Sequence, residues 1–427
     1  MLKTNSIRLS ALVFVLFACN PAVEESSPQI LLKNQSSIDL KDKGVIIDFK
    51  DLKSEANKFL HIADAEGNSV AYQIDDVNGD GIPDQLFMLV DLKADEEKSL
   101  DITWVDSQPK FEQRTAVRFG KRDDIDQPVT PRQEDLFFSH ELPKSMGYQP
   151  YQTDGPSWEN DKVGFRHYFD GRNSKDLFGK KTSKMSPKDV GVNDKGEVED
   201  NYHVMEDWGR DILAVGNSVG LGGITLLKDD QPARLGVLVD EEMSNIYQSS
   251  FKIMAEGPIR SIMEFEYRDW DAFDRKYPRI VERVSIVPGM YAYKNEVMFE
   301  GLHGDEHLAV GLVNIHNDKG IKEITDFDDW VILMTHDAQG YDKEWIIGMA
   351  LILPKGQYME MIEAPKSGKL TDSYLAKMKS ESEKTIEYYA VGAWELSEDR
   401  FMEAAGFERY LRDLVAHLEA EVSVSIQ

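Results

Sequence analysis

The chain has 427 residues, 41% hydrophobic and 30% charged, with 77 acidic against 49 basic side chains and a formal net charge of −28. That length allows about two to three domains with sizeable cores, and the composition excludes collagen-like, disordered and membrane-bundle chains. So acidic a surface repels phosphates, which excludes nonspecific nucleic-acid binding.

Met1–Asn20 reads MLKTNSIRLSALVFVLFACN, with Lys3 and Arg8 ahead of the apolar run Ala11–Ala18. The run is less than half of the roughly 20 residues that span a bilayer and fits the apolar region of a signal peptide. Leu16-Phe-Ala-Cys19 resembles the bacterial lipoprotein processing box, in which the cysteine becomes the lipidated first residue; the alternative is an ordinary signal peptide that contains a cysteine. Cys19 is also the only cysteine, so an exported form has no internal disulfide. The expectation is a signal peptide over 1–19, a tether over 20–29, and an exported protein lipid-anchored at the bacterial outer membrane, on its periplasmic or surface face, with no other membrane contact.

Residues 30–108 carry short alternating runs, at Gly44–Phe49, Ser69–Gln73, Asp84–Val90 and Ser99–Trp104, which predict a small antiparallel β domain. Between two of them, Asp76, Asn78, Asp80 and Asp84 take positions 1, 3, 5 and 9 of a calcium loop with Gly81 at position 6, but Phe87 stands where the bidentate Glu belongs. A tight Asn/Asp/Gly hairpin turn explains the same residues without metal. Residues 109–210 are less regular and read as functional loops. From Val219 strands dominate: Ile259–Tyr267 alternates apolar and polar residues, and Ile280–Val287, His307–Ile315, Trp330–Thr335, Trp345–Leu353 and Thr385–Trp394 continue the series. Long strands without intervening helices predict stacked antiparallel sheets. After Ser397 as N-cap, apolar residues from Phe401 to Leu418 fall at helical spacing and predict one closing amphipathic helix. The predicted fold class is mainly β, with a small N-terminal sandwich, a larger domain over 109–427 and a C-terminal helix.

P-loop and HExxH signatures are absent from the sequence. The stretch Gly164–Lys181, GFRHYFDGRNSKDLFGKK, gathers Arg166, Arg172, Lys175, Lys180 and Lys181 around His167 and Tyr168. It is either surface charge balancing the acidic remainder or an anion-binding wall, since the planar Arg fork matches a carboxylate or sulfate. On a strand, His167 and Tyr168 would point to opposite faces; in a loop they could share one. A second cluster holds Tyr202, His203, Asp207, Trp208 and Asp211, where an aromatic ring can stack on a sugar and carboxylates fix hydroxyls. A third, Gly301–His307 followed by His316, places His303 and His307 four apart around Asp305, so a divalent metal is a minor alternative to a site without cofactors. With 77 carboxylates, no glycosidase pair can be singled out. His and Tyr beside Arg suit β-elimination next to a uronate, which needs a base, an acid and a cation.

Trp158-Glu-Asn-Asp161, Phe165-Arg-His-Tyr168 leading into Asp176-Leu-Phe-Gly-Lys180, and Asp207-Trp-Gly-Arg-Asp211 before Val215–Gly220 resemble a Bacteroidetes family long labelled as of unknown function and found with polysaccharide-degradation loci. The resemblance extends over roughly 30–425. That family includes an ulvan oligosaccharide dehydratase, so the resemblance implies removal of water from unsaturated uronic-acid-terminated oligosaccharides. The larger domain is expected to be similar to the supersandwich of sugar mutarotases and some lyases. Where the family pattern has Met after Trp-Gly, this chain has Arg210, which changes the charge there. The expected partner is an anionic oligosaccharide: His167 or His203 as base, Tyr168 or Tyr202 as acid, Arg166 with Arg172 or Lys180 on the carboxylate, and Trp158, Asp207, Trp208, Asp211 and His303 as further substrate contacts. A mutarotase or epimerase, or a noncatalytic glycan-binding lipoprotein, would use similar residues.

Overall fold

The structure, a computed structural model, describes residues 28–52, 55–363 and 365–427. Cys19, the expected signal peptide and most of the expected tether lie outside the described residues. No described helix is long and apolar enough to cross a membrane.

The chain begins by pairing with its own end. Gln29–Asn34 turns Ile30, Leu32 and Asn34 inward, and it pairs with Glu97–Val105 on one side and Val422–Ile426 on the other, Ile30 opposite Ile426. With Phe59–Ala63 these strands make a four-stranded sheet, and Leu40–Asp48, Gln85–Leu92 and Tyr72–Asp75 make a three-stranded one. The buried side chains of both, including Ile30, Ile62, Leu86, Met88 and Leu100, form a core of their own. The small sandwich thus draws on 422–426 as well as the expected 30–108; the returning strand covers an edge whose backbone N–H and C=O groups would otherwise stay unpaired. The Asp76–Asp84 segment is the hairpin turn. The Asp76 carboxylate accepts backbone N–H groups of Gly79 and Gly81, each at 2.7 Å, and Asp84 accepts that of Val77 at 2.8 Å. Those backbone donors hold the Asp76 carboxyl below its ordinary range.

The rest of the chain is built on a nine-stranded antiparallel sheet, in spatial order Glu134–Phe138, Ile246–Glu256, Ser261–Ala272, Arg275–Ile286, Ala292–Glu300, Ile386–Trp394, Ile346–Pro354, Trp330–Ala338 and Lys322–Ile324. Its long central strands follow the period-2 rule the sequence displays: Met263, Phe265 and Tyr267 are all sealed on one face. Two five-stranded sheets lie side by side over that face. One brings Leu177 against Gly392 and Gly179 against the Trp394 indole; the other brings Gly222 against Tyr293 and Ala390. The helix Ala404–Glu419 covers the opposite face, with Phe407 against Gly348. The mainly β class with stacked antiparallel sheets and one C-terminal helix is therefore as predicted. Ser397 does not cap that helix. Its hydroxyl donates to the Lys180 carbonyl at 2.7 Å, and a 3-10 turn at Asp399–Met402 intervenes before the helix begins.

Candidate functional site

The segment 109–210, expected as loops, supplies the first five-stranded sheet. Its order is Gly209–Asp211, Lys175–Lys180, Val163–His167, Ser157–Asn160 and Thr115–Arg118. Strands of three to six residues with charged side chains inside give no apolar alternation to read.

Alternation in this sheet sorts the opening stretch onto two faces. In register across the strands, Ser157, Arg166 and Asp176 stand side by side, and Phe178 is opposite Asp211. Arg166, Asp176, Phe178 and Asp211 share the outer face, and Tyr168, two residues beyond Arg166, reaches the same side. His167 and Lys175 point inward to the core. This corrects the expectation that His167 and Tyr168 could share one site. His167 Nε2 is 3.2 Å from the Tyr267 hydroxyl and its ring packs on Phe265, while Lys175 Nζ lies 2.5 Å from Glu282, all of them sealed. Burial first, then Lys175, holds His167 well below its ordinary value.

On the outer face Arg166 is the hub. Its Nη2 donates to the Tyr168 hydroxyl at 2.6 Å, to Asp211 Oδ2 at 2.8 Å and to Asp176. Tyr168 in turn donates to Asp176 at 2.9 Å. The guanidinium lies between aromatic rings, 4.3 Å from that of Tyr168 and 5.0 Å from that of Tyr202. Burial and the neighbouring Asp176 push Asp211 well above the ordinary carboxylate range, against the pull of Arg166. The segment after Lys180 folds over this face, seating Tyr202 and Trp208 on Phe178.

The cluster opens to solvent at the sheet edge formed by Gly209–Asp211. His203, on the 3-10 turn Asn201–His203, directs Nδ1 toward Asp211 Oδ2 at 3.6 Å, with its side chain 40% exposed. Burial and then the Arg166 charge lower its pKa, so it is neutral at pH 7. The loop between Trp330–Ala338 and Ile346–Pro354 reaches the same edge. Its Tyr341 ring lies 5.6 Å from that of His203, and its hydroxyl hydrogen-bonds Asp211. Burial, then Asp176 and Asp211, raise the Tyr341 pKa; burial likewise raises that of Tyr202, whose hydroxyl donates to Asp200 at 2.9 Å. Arg210 donates from Nε to its neighbour's carbonyl at Asp211, at 2.9 Å, and stacks 5.0 Å from the Trp345 ring and 5.9 Å from that of Tyr341.

The remaining expected contacts are dispersed. Arg172 stacks on Tyr168 at 3.7 Å and pairs with Asp170 at 2.7 Å. Lys180 is engaged by Glu159 and the Asn160 carbonyl. Trp158 faces the core against Tyr293, Trp208 is a buried part of the cover, and Asp207 is exposed on the turn before the edge strand. His303 belongs to a different cluster, where its N–H donates to Glu306 beside Arg275 and Asp305. Each basic residue of the opening stretch thus already has an internal partner. Tyr341 went unnoticed in the sequence; its only signal is the Gly340-Tyr-Asp turn between two strands. Among the described residues no group of three or more His, Cys, Asp or Glu side chains is placed to hold a metal ion.

These features define a mainly β protein with a carboxylate–arginine–tyrosine cluster opening at a sheet edge beside one neutral histidine. The chain matches the family described as "Domain of unknown function (DUF4861)" over residues 32–424 and belongs to it. It is 26% identical over 293 residues to "Uncharacterized protein P7" of Formosa agariphila, covering 66% of this chain and 69% of that one. Among solved structures it is loosely similar to an α-mannosidase from Enterococcus faecalis V583 (TM-score 0.48, 11% identity, 94% of this chain and 46% of that one). A glycosyl hydrolase family 38 protein from Enterococcus faecalis compares similarly (TM-score 0.46, 11% identity, 94% and 48%). The chain spans about half the length of those two proteins.

Proposed function

We propose that the protein is a carbohydrate dehydratase, a carbon–oxygen lyase that removes water from unsaturated uronic-acid-terminated oligosaccharides of an anionic algal polysaccharide, ulvan being the first candidate. The observation that carries this reading is His203, neutral and half-exposed, with Nδ1 turned to Asp211 and Nε2 therefore turned away from it, beside tyrosines that hold their protons at neutral pH. A base oriented by a carboxylate and an adjacent acid are what proton abstraction from carbon requires.

In the proposed step His203 Nε2 takes a proton from a ring carbon. The electron pair of that C–H bond forms a C=C bond, and the C–O bond on the neighbouring carbon breaks. The departing hydroxyl takes the Tyr341 proton and leaves as water. Transfer of the proton from His203 back to the tyrosinate, directly or through solvent, closes the cycle. Arg166 pairs with Asp176 and pulls Asp211 toward its charged form, against burial and Asp176. Arg210, whose terminal nitrogens have no hydrogen-bond partner among the described residues, supplies the cation for the substrate carboxylate as charge builds on it. With Cys19 lipidated, this chemistry would occur at the outer membrane.

The test is mass spectrometry of ulvan-lyase oligosaccharides incubated with protein lacking residues 1–19. Loss of one water from the unsaturated end supports the dehydratase. Unchanged mass with a changed anomer or epimer ratio would replace it with a mutarotase or epimerase, and unchanged but bound sugar with a noncatalytic binder.

A further inference from the structure

The outer face of the same five-stranded sheet carries a second opening, away from His203. It is a cavity of about 280 Å³ lined by Arg118, Arg132, Lys180, Phe178, Ser186 and Trp208, among others. It runs from the Thr115–Arg118 edge across to Phe178 and Lys180, on the strand beside Gly209–Asp211, and to Trp208.

Three features of this cavity point to a ligand of one kind. The first is charge. In a chain of net −28, the lining holds the cations Arg118, Arg132, Lys180 and Lys188 against only Glu159 and Glu256. The second is unmet hydrogen-bonding capacity. Nε of Arg118 and Nε of Arg132 are both buried, and neither has a partner among the described residues, although buried donors are nearly always paired. The Arg118 fork is fixed by Ser157 at 3.2 Å, Ser186 at 2.6 Å and the Pro187 carbonyl at 3.0 Å, so its direction is set before anything binds. The third is the opposite wall. Phe178 and Trp208 offer apolar ring surface, and the volume suits one sugar-sized molecule.

We infer that this cavity is an anion subsite that binds one acidic sugar residue, by its carboxylate or its sulfate, separately from the His203 edge. The inference rests on the reading of the protein as one that handles anionic saccharides, but not on any turnover. An acidic sugar would present a charged group to Arg118 and Arg132 and an apolar ring face to Trp208.

Binding is measured on the full folded domain carrying His203→Gln, so that chemistry plays no part. The probes are sodium glucuronate and a monosulfated monosaccharide, with glucose as the neutral control, followed by calorimetry and by tryptophan fluorescence. One or both anionic probes should bind saturably, and which of them does identifies carboxylate or sulfate as the preferred group. Arg132→Met should weaken that binding at least tenfold, and Trp208→Phe should remove the fluorescence change. Arg210→Met should leave both intact. Arg132 is partly exposed and pairs only with Asp123, so its loss leaves the fold standing, which circular dichroism would verify. Absence of saturable binding by either anionic probe, equal binding of glucose, or binding abolished by Arg210→Met and untouched by Arg132→Met would each overturn the inference. A protein that binds as described yet releases no water from oligosaccharides would keep the subsite and lose the dehydratase.

Discussion

Arg166→Met separates a structural role for the opening stretch from a ligand-binding one. Arg166 is fully sealed, and its Nη2 is the common donor to Asp176, Asp211 and Tyr168. Methionine keeps much of the stem and removes the cation, leaving two neighbouring carboxylates without it. Stripping one partner from a buried ion pair costs about 3–5 kcal/mol. Because two carboxylates lose the same cation, the cost at pH 7 is expected at the upper end, about 5 kcal/mol. Protonation limits it. Asp211 already lies well above its ordinary range, and without Arg166 it rises further. The folded variant then holds a proton that the unfolded chain releases above about pH 4. The unfolded chains being alike, the variant loses stability relative to the parent only between the parent's folded pKa for Asp211 and its own higher one, by about 1.4 kcal/mol per unit for one proton. Urea denaturation of both proteins at pH 5, 6, 7 and 8 reads this directly. The gap should widen as pH rises through the raised pKa of the parent's Asp211. A variant within about 1 kcal/mol of the parent at every pH would refute the reasoning and return Arg166 to an exposed anion-binding wall.

His203→Gln should behave in the opposite way. With the side chain 40% exposed, stability should change by less than about 1 kcal/mol, while turnover falls about 10²–10⁴-fold; a variant that stays active would remove His203 as the base. Because the His203 pKa is lowered, the acid limb of activity that needs its neutral form should lie below pH 6.5, where an unperturbed histidine would place it. Gly179→Ala places a Cβ inside the Trp394 indole, and calorimetric or urea unfolding should register a loss of about 1–3 kcal/mol. His417, held down to about 4 by burial and then by Lys43, should make stability fall as pH drops from its unfolded value near 6.5 toward that folded value, by about 2–3 kcal/mol at most. His417→Gln should flatten this part of the acid limb, and an unchanged slope would show that the ring is solvated.

Much of the frame was legible in the sequence. Ile259–Tyr267 reads as a half-buried strand because its neighbours on each side of the sheet differ in polarity, and the observed strand Ser261–Ala272 overlaps it. The spacing from Phe401 to Leu418 reads as a helix, and Ala404–Glu419 is one. Ala292–Glu300 was missed because Lys294, Asn295 and Glu296 follow one another and break the apolar alternation; Asn295 lies on the buried face and turns to Glu282. The site was legible in parts: Arg166, Tyr202, His203 and Asp211 were all singled out, but their grouping was not, and neither was Tyr341.

By itself, then, the sequence determined the class of fold, through the period of its apolar residues, and the stock of ionisable groups from which a site could be made. Tertiary structure decided which of those groups meet. A strand sends successive side chains to opposite faces, so adjacent Arg166 and His167 end in different environments, one shared by carboxylates and one sealed in the core. In GFRHYFDGRNSKDLFGKK the positive charge of Arg166, Arg172, Lys175 and Lys180 is answered by Asp176 and Asp211, Asp170, Glu282 and Glu159, and Lys181 donates to the Glu206 carbonyl. Except for Asp170 and Asp176 these partners lie outside the stretch, and in low-dielectric surroundings a charge is held by whatever packing brings within about 3 Å, not by what is near in sequence.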